Sequence, residues 1–229
     1  MENFEQWIEY LDGELKPDKS FDIIKRELEI GARRAALYFI DGFIKDEVYE
    51  KILEFLYKQT PDDIAKIADM TEFARLKMPY VEVDSTDDKQ AAVTAVLSGP
   101  SVLIVDGISG ALMIDTRTYP ARGVEEPQKD KSLRGARDGF VETLVMNTAM
   151  IRRRIRDSRL RMEYMQIGSG TKLDIAISYL DGVADGRMLN ILRNKLQNME
   201  LNGASMTQQA IAEKLQKNAF FNPFPKFKT

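Results

Sequence analysis

The 229-residue sequence contains no cysteine and no histidine. Without cysteine there is no disulfide and no thiolate nucleophile, which suits a reducing compartment. Without histidine there is no Ser-His-Asp or Cys-His site and no imidazole metal ligand. Long apolar runs are missing too. The longest, such as VLIV at 102–105, are strand-sized and far short of the roughly 20 residues that span a bilayer as a helix. The opening residues, MENFEQWIEYLDGELK, are acidic and mixed, unlike a signal peptide. A net charge of −3 gives no global field to draw the chain onto nucleic acid. These absences predict a soluble, intracellular chain with no histidine or cysteine catalysis, no cofactor and no metal; carboxylate or lysine catalysis stays open.

What is present fits an ordinary folded chain. Hydrophobic residues make up 44% and charged residues 30%, and the length allows one large domain or two small ones. Residues 18–31, with Ile23, Ile24, Leu28 and Ile30 apolar among charges and Gly31 as a stop, predict a helix. AALYFIDG at 35–42 predicts a buried strand ending in an Asp-Gly turn. A helix from about Asp46 presents Val48, Ile52, Leu53 and Leu56 on one face, and Pro61 breaks the pattern. MTEFARLKM adds a further turn or two of helix, and YVEV at 80–83 alternates like a half-buried strand. Asp87 and Gln90 have capping-box spacing before a helix that Ser98-Gly99-Pro100 stops. SVLIVDGISGALMIDT at 101–116 is a hairpin signal.

A long helix from about Asp138 follows, its stripe formed by Phe140, Leu144, Ile151 and Ile155 with Thr148 in the gap. Residues 161–182 predict a second hairpin around Gly168-Ser169-Gly170. A helix from about Asp185 carries Met188, Ile191, Leu192 and Leu196, and a last one starts near Ser205 before a Pro- and Phe-rich tail.

The chain echoes itself. LYFIDGFIKDEVYEKILEFL (37–56) aligns without gaps on ISYLDGVADGRMLNILRNKL (177–196), an offset of 140 that sets Asp41-Gly42 on Asp181-Gly182. Both read as strand, Asp-Gly turn, helix. The fold class is therefore α/β, with two small subdomains of related strand-turn-helix topology. Their expected bounds are 1–118 and 138–229, with 119–137 as a charged linker.

Three charged constellations are candidates for function. Adjacent Glu125 and Glu126 are improbable as an acid/base pair, since nothing in the sequence buries them to shift a pKa. Arg134 and Arg137, just before a helix N-terminus, either cradle an anion or fold the linker back onto Glu125, Glu126 or Asp130. RRRIRDSRLR at 152–161 holds six arginines in ten residues. It reads as a solvated or interface-facing helix end, as a site for lipid headgroups or an acidic partner, or as a nucleic-acid contact that lacks stacking aromatics.

Taken together, R-G-V-E-E-P at 122–127, R-D-G-F-V-E at 137–142, Asn147-Thr148, the Arg-rich stretch and Y-L-D-G at 179–182 resemble the A subunit of the GerA-type spore germination receptors. AVLSGPSVLIVDG at 95–107 looks like the same family. The resemblance implies a non-enzymatic receptor subunit that assembles with B and C subunits, and with other A subunits, in the spore inner membrane. It implies that the full protein is membrane-embedded, that this portion faces the core cytoplasm, and that nutrient germinants are the small molecules detected. The function so implied is a sensing, signalling and assembly module; the alternative is a germinant-binding module with its ligand in the cleft between subdomains. The interface residues expected are Arg122, Glu125, Glu126, Arg134, Arg137, Asp138 and Asn147. The resemblance also implies that a further unit follows Thr229, so that the second subdomain is incomplete and keeps an unpaired sheet edge.

Overall fold

The computed structural model describes residues 4–117, 139–168 and 172–199, together with Ile211 and Leu215. Its first part is a five-stranded antiparallel sheet with helices on both faces. The strands are β1 (Ile23–Ile30), β2 (Arg33–Ile40), β3 (Val83–Thr86), β4 (Ser101–Val105) and β5 (Ala111–Ile114), in the order β1-β2-β4-β5-β3. β2 sits inside the sheet and is buried on both faces, which explains its unbroken apolar run. Its Ala35, Leu37 and Phe39 join one core; Ala36, Tyr38 and Ile40 join the other. The first core is closed by α2 (Asp46–Tyr57), α3 (Pro61–Ile64) and α4 (Met70–Lys77). The second is closed by α1 (Phe4–Leu15), through Trp7, Leu11 and Leu15, and by α5 (Lys89–Ser98).

The second part begins with α6 (Leu144–Arg154) and continues as a hairpin, β6 (Leu160–Ile167) and β7 (Leu173–Leu180), and α7 (Gly186–Gln197). Among the described residues β6 and β7 form a two-stranded sheet by themselves. One face of it packs against Leu196, Leu189 and Leu192 of α7 and against Ile211 and Leu215. The echo appears in the backbone. Shifting β2 (33–40) and α2 (46–57) by 140 residues lands on β7 (173–180) and α7 (186–197).

Several expectations are corrected. Residues 18–31 are not a helix: Ile23–Ile30 is strand β1, fully paired with β2 through a turn in which Gly31 and Ala32 both have positive φ. The same residues satisfy a period of two (Ile24, Leu28 and Ile30 on one face), and the long-range pairing decides between the two patterns. The strand near YVEV starts at Val83, and Val81 is 93% exposed. Asp88, not Asp87, caps α5, accepting from the Gln90 N–H. The helix expected from Asp138 starts at Leu144, and Phe140 and Ile155 of its supposed stripe are exposed. Its buried residues are Thr148, Ala149 and Arg152. The helix expected near Ser205 and the tail lie outside the described residues, apart from Ile211 and Leu215.

Candidate functional site

The two hairpins meet at a buried polar joint. The segment just before β1 supplies Ser20, Phe21 and Asp22; α6 supplies Arg152; β6 supplies Leu160 and Met162. The Phe21 N–H donates to the Met162 carbonyl at 3.0 Å, and the Met162 N–H donates to Ser20 Oγ at 2.9 Å. Ser20 Oγ in turn donates to Asp22 Oδ1 at 2.8 Å.

Arg152 closes this network. Its Nε donates to Asp22 Oδ2 at 2.8 Å, and its Nη2 reaches Asp22 Oδ1 at 3.0 Å, Ser20 Oγ at 3.1 Å and the Leu160 carbonyl at 3.2 Å. Both charged side chains are 0% exposed. A bidentate guanidinium–carboxylate pair is the geometry that best offsets the desolvation of two buried charges. Removing either partner leaves the other buried and uncompensated.

A second layer surrounds the first. Arg161, 2% exposed, donates from Nη1 to the Ser158 and Leu160 carbonyls, and its Nε lies 3.6 Å from Asp181 Oδ2. Lys16 at the end of α1 reaches the same carboxylate at 3.2 Å, and this bond holds the Asp181 carboxyl below the usual range. Its echo, Asp41, shifts the other way because burial penalises its charge. The turns themselves close alike: the Asp41 N–H donates to the Asp22 carbonyl, and the Asp181 N–H to the Arg159 carbonyl, each at 2.8 Å.

Helix α6 reaches the joint by lying on the Asp41-Gly42 turn. Gly42 has φ +83°, and a Cβ there would stand 3.1 Å from both Val145 Cγ1 and Ala149 Cβ. Only glycine permits that backbone and that approach together.

Of the seven interface residues expected from the sequence, Asn147 is described. It clamps the chain leading into α6: Oδ1 accepts from the Val141 N–H and Nδ2 donates to the Val141 carbonyl, both at 2.7 Å. Arg122, Glu125, Glu126, Arg134, Arg137 and Asp138 lie outside the described residues. The Arg-rich run divides by burial. Arg153, Arg154, Arg156 and Arg159 are exposed, whereas Arg152 and Arg161 are the largest fully buried side chains of the described chain. The run itself carries no signal for this, because the matching acid, Asp22, stands 130 residues away. Among the described residues no three His, Cys, Asp or Glu side chains converge as a metal's ligands would.

Comparison with known proteins identifies the architecture. Residues 9–229 match the family model of the Bacillus/Clostridium GerA spore germination protein. The chain belongs to the GerA family. Within it, the stage V sporulation protein AF of Bacillus subtilis (strain 168) is 35% identical over 222 residues, covering 95% of this chain and 44% of that protein. Spore germination protein KA of the same organism is 29% identical over 214 residues, 90% of this chain and 38% of that one. The chain thus spans less than half the length of these GerA relatives. The fold matches the crystal structure of the N-terminal domain of the A subunit of the Bacillus megaterium spore germinant receptor GerK3. The TM-score is 0.67 at 24% identity, over 97% of this chain and 81% of that one. Among the described residues no helix is long and apolar enough to cross a membrane.

Proposed function

We propose that this chain is the core-facing N-terminal part of a GerA-type A subunit, and that it serves as a sensing, signalling and assembly module of a nutrient-germinant receptor in the spore inner membrane. Two subdomains, 1–118 and 138–229, are held by the linker 119–137 in an orientation that the B and C subunits, and neighbouring A subunits, engage. The observation that carries the reading is the Arg152–Asp22 pair, because a fully buried ion pair tolerates one arrangement of its two carriers. A partner that binds one orientation better than another then shifts the population by its difference in affinity.

The experiment is done in spores. Arg152→Met abolishes the nutrient-triggered fall in optical density, while Arg152→Met with Asp22→Leu recovers part of it. Receptor abundance in the membrane fraction separates misfolding from lost signalling. A normal response from the single variant at normal abundance sinks the reading.

The charges of the linker enter the same proposal: Arg122, Glu125, Glu126, Arg134, Arg137 and Asp138 act on the same orientation. Arg134→Glu and Glu126→Arg each impair germination, and their combination restores it. A single variant that germinates like wild type demotes the stretch to a passive tether.

A second reading places a germinant in the cleft between the units. It draws on two buried nitrogens at the joint that have no hydrogen-bond partner among the described residues, Arg152 Nη1 and Arg161 Nε. Flat calorimetric titrations with amino acids and sugars end that reading.

A further inference from the structure

The echo supplies an internal template for a groove that the rest of the fold leaves open. In the second unit the space between α7 and the β6–β7 hairpin is filled from within. Arg193 of α7 reaches across to Glu163 of β6, with Nε and Nη2 each 2.7 Å from a carboxylate oxygen. Its guanidinium lies 5.8 Å from the centre of the Tyr179 ring, and the Tyr179 hydroxyl donates to the same carboxylate.

The first unit has the same three points. Ile177 pairs with Glu163 in its hairpin, and its echo Leu37 pairs with Arg26, so Arg26 holds the place of Glu163. At an offset of 140, Phe39 takes the place of Tyr179 and Leu53 the place of Arg193. The strand charge is therefore inverted, and the helix brings a leucine where its counterpart brings the neutralising ion. Among the described residues Arg26 makes one side-chain hydrogen bond, a long one to the Tyr57 hydroxyl at 3.5 Å. Among the described residues it has no carboxylate in ion-pair range. The result is a groove of about 470 Å³ whose lining includes Arg26, Phe39, Asp46, Glu50, Leu53, Glu54 and Tyr57, within the size range of small-molecule sites.

The template says what belongs at Arg26: a carboxylate, seated beside an aromatic ring. The opposite wall adds a second requirement. Asp46 and Glu50 repel a simple anion and ask for a positive nitrogen. Glu54, the acid nearest Tyr57, is already paired with Lys58 at 2.6 Å. The acids left for a ligand are far from Arg26, since seven residues of helix from Glu50 to Tyr57, the neighbour of Arg26, rise about 10 Å. A free amino acid is too short to meet both walls. An extended chain of about three residues, at roughly 3.4 Å each, spans that distance between its free ends.

We propose that this groove binds a short free peptide by its two ends, the C-terminal carboxylate on Arg26 and the N-terminal ammonium at Glu50 or Asp46, with its side chains over Phe39 and Leu53. The proposal stands apart from the joint and from the receptor reading.

It is tested on the 229-residue chain with trialanine as probe, by calorimetry and ligand-observed NMR. Trialanine saturates with a Kd of about 1 mM or tighter. N-acetyl-trialanine and trialanine amide each bind about tenfold more weakly, consistent with loss of one charge-assisted contact. Arg26→Ala weakens trialanine by about tenfold or more, with an unchanged thermal midpoint, because Arg26 is exposed and makes only the long contact to Tyr57. Absence of saturation overturns the proposal. So does equal affinity for L-alanine, or an Arg26→Ala chain that binds as wild type does.

Discussion

The two strand-turn-helix units share a local plan and differ in what surrounds them. Gly42 carries α6 on its turn, whereas Gly182, with nearly the same φ of +76°, has open space: beyond its chain neighbours, no atom of the described residues lies within 4 Å of where a methyl group would stand. Phe43 is fully buried; its echo Val183 is 64% exposed, as is Met188 at 63% where the first unit has half-buried Val48. The helices themselves anchor alike, through Leu56 at 1% and Leu196 at 3%. Positive-φ glycine, an acidic residue before it and a leucine three turns into the helix are thus enough to repeat the local structure. Burial of the rest is conferred by neighbours, chiefly β4, α5 and α6 in the first unit.

The comparison breaks most severely at the joint, where a fully buried ion pair ties the units together. Arg152→Met leaves Asp22 buried without its ion, and the loss should be about 3–5 kcal/mol by denaturant unfolding. Adding Asp22→Leu should recover much of it, since a packed apolar pair avoids the desolvation of both charges.

The glycine turns come next. Gly42→Ala combines a left-handed alanine with contacts at 3.1 Å to Val145 and Ala149 and should cost about 2–3 kcal/mol. Gly182→Ala meets no neighbour and should cost only about 1 kcal/mol. Equal losses in thermal unfolding would mean that α6 does not depend on the first turn.

A smaller effect belongs to the helix that links the units. Asn147→Ala removes both hydrogen bonds to Val141 and should cost about 1–2 kcal/mol. Hydrogen exchange should show the change at Val141 first.

The smallest concerns acid. Arg193 holds the Glu163 carboxyl below the ordinary glutamate range, whereas Arg26 leaves the first unit without that contribution. A depressed carboxyl stabilises the fold fully above its unfolded pKa of about 4.3, and the benefit disappears as pH falls through the lower folded value. Wild type should therefore exceed Arg193→Gln in thermal midpoint at about pH 6, and the gap should close towards about pH 3.

How much of the molecule is legible in its sequence depends on the range of the interaction. The Asp-Gly turns, the hairpin after α6 and the helix start at Asp185 are readable because turns and helix starts are local chemistry. The offset of 140 even locates both helices and both second strands. β1 reads as a helix because Ile23, Ile24, Leu28 and Ile30 satisfy helical spacing until β2 pairs with them. Arg152 and Arg161 are hidden for a related reason: an arginine's burial is set by its acid, and Asp22 is distant in sequence. The groove at Arg26 becomes visible only when strand register sets Arg26 in the place that Glu163 holds in the second unit.

The bond from Arg152 to Asp22 also imposes an order on assembly. A chain made from its N-terminus presents Asp22 long before Arg152 exists, so the first unit must form around a carboxylate still held by water. The joint closes a loop of 130 residues, and closure of that size follows local structure rather than leading it. Domains form as units during synthesis at about 5–20 residues per second, which makes Asp22 a hydrated surface group for several seconds. Its dehydration accompanies the locking of α6 and the second hairpin onto the segment before β1.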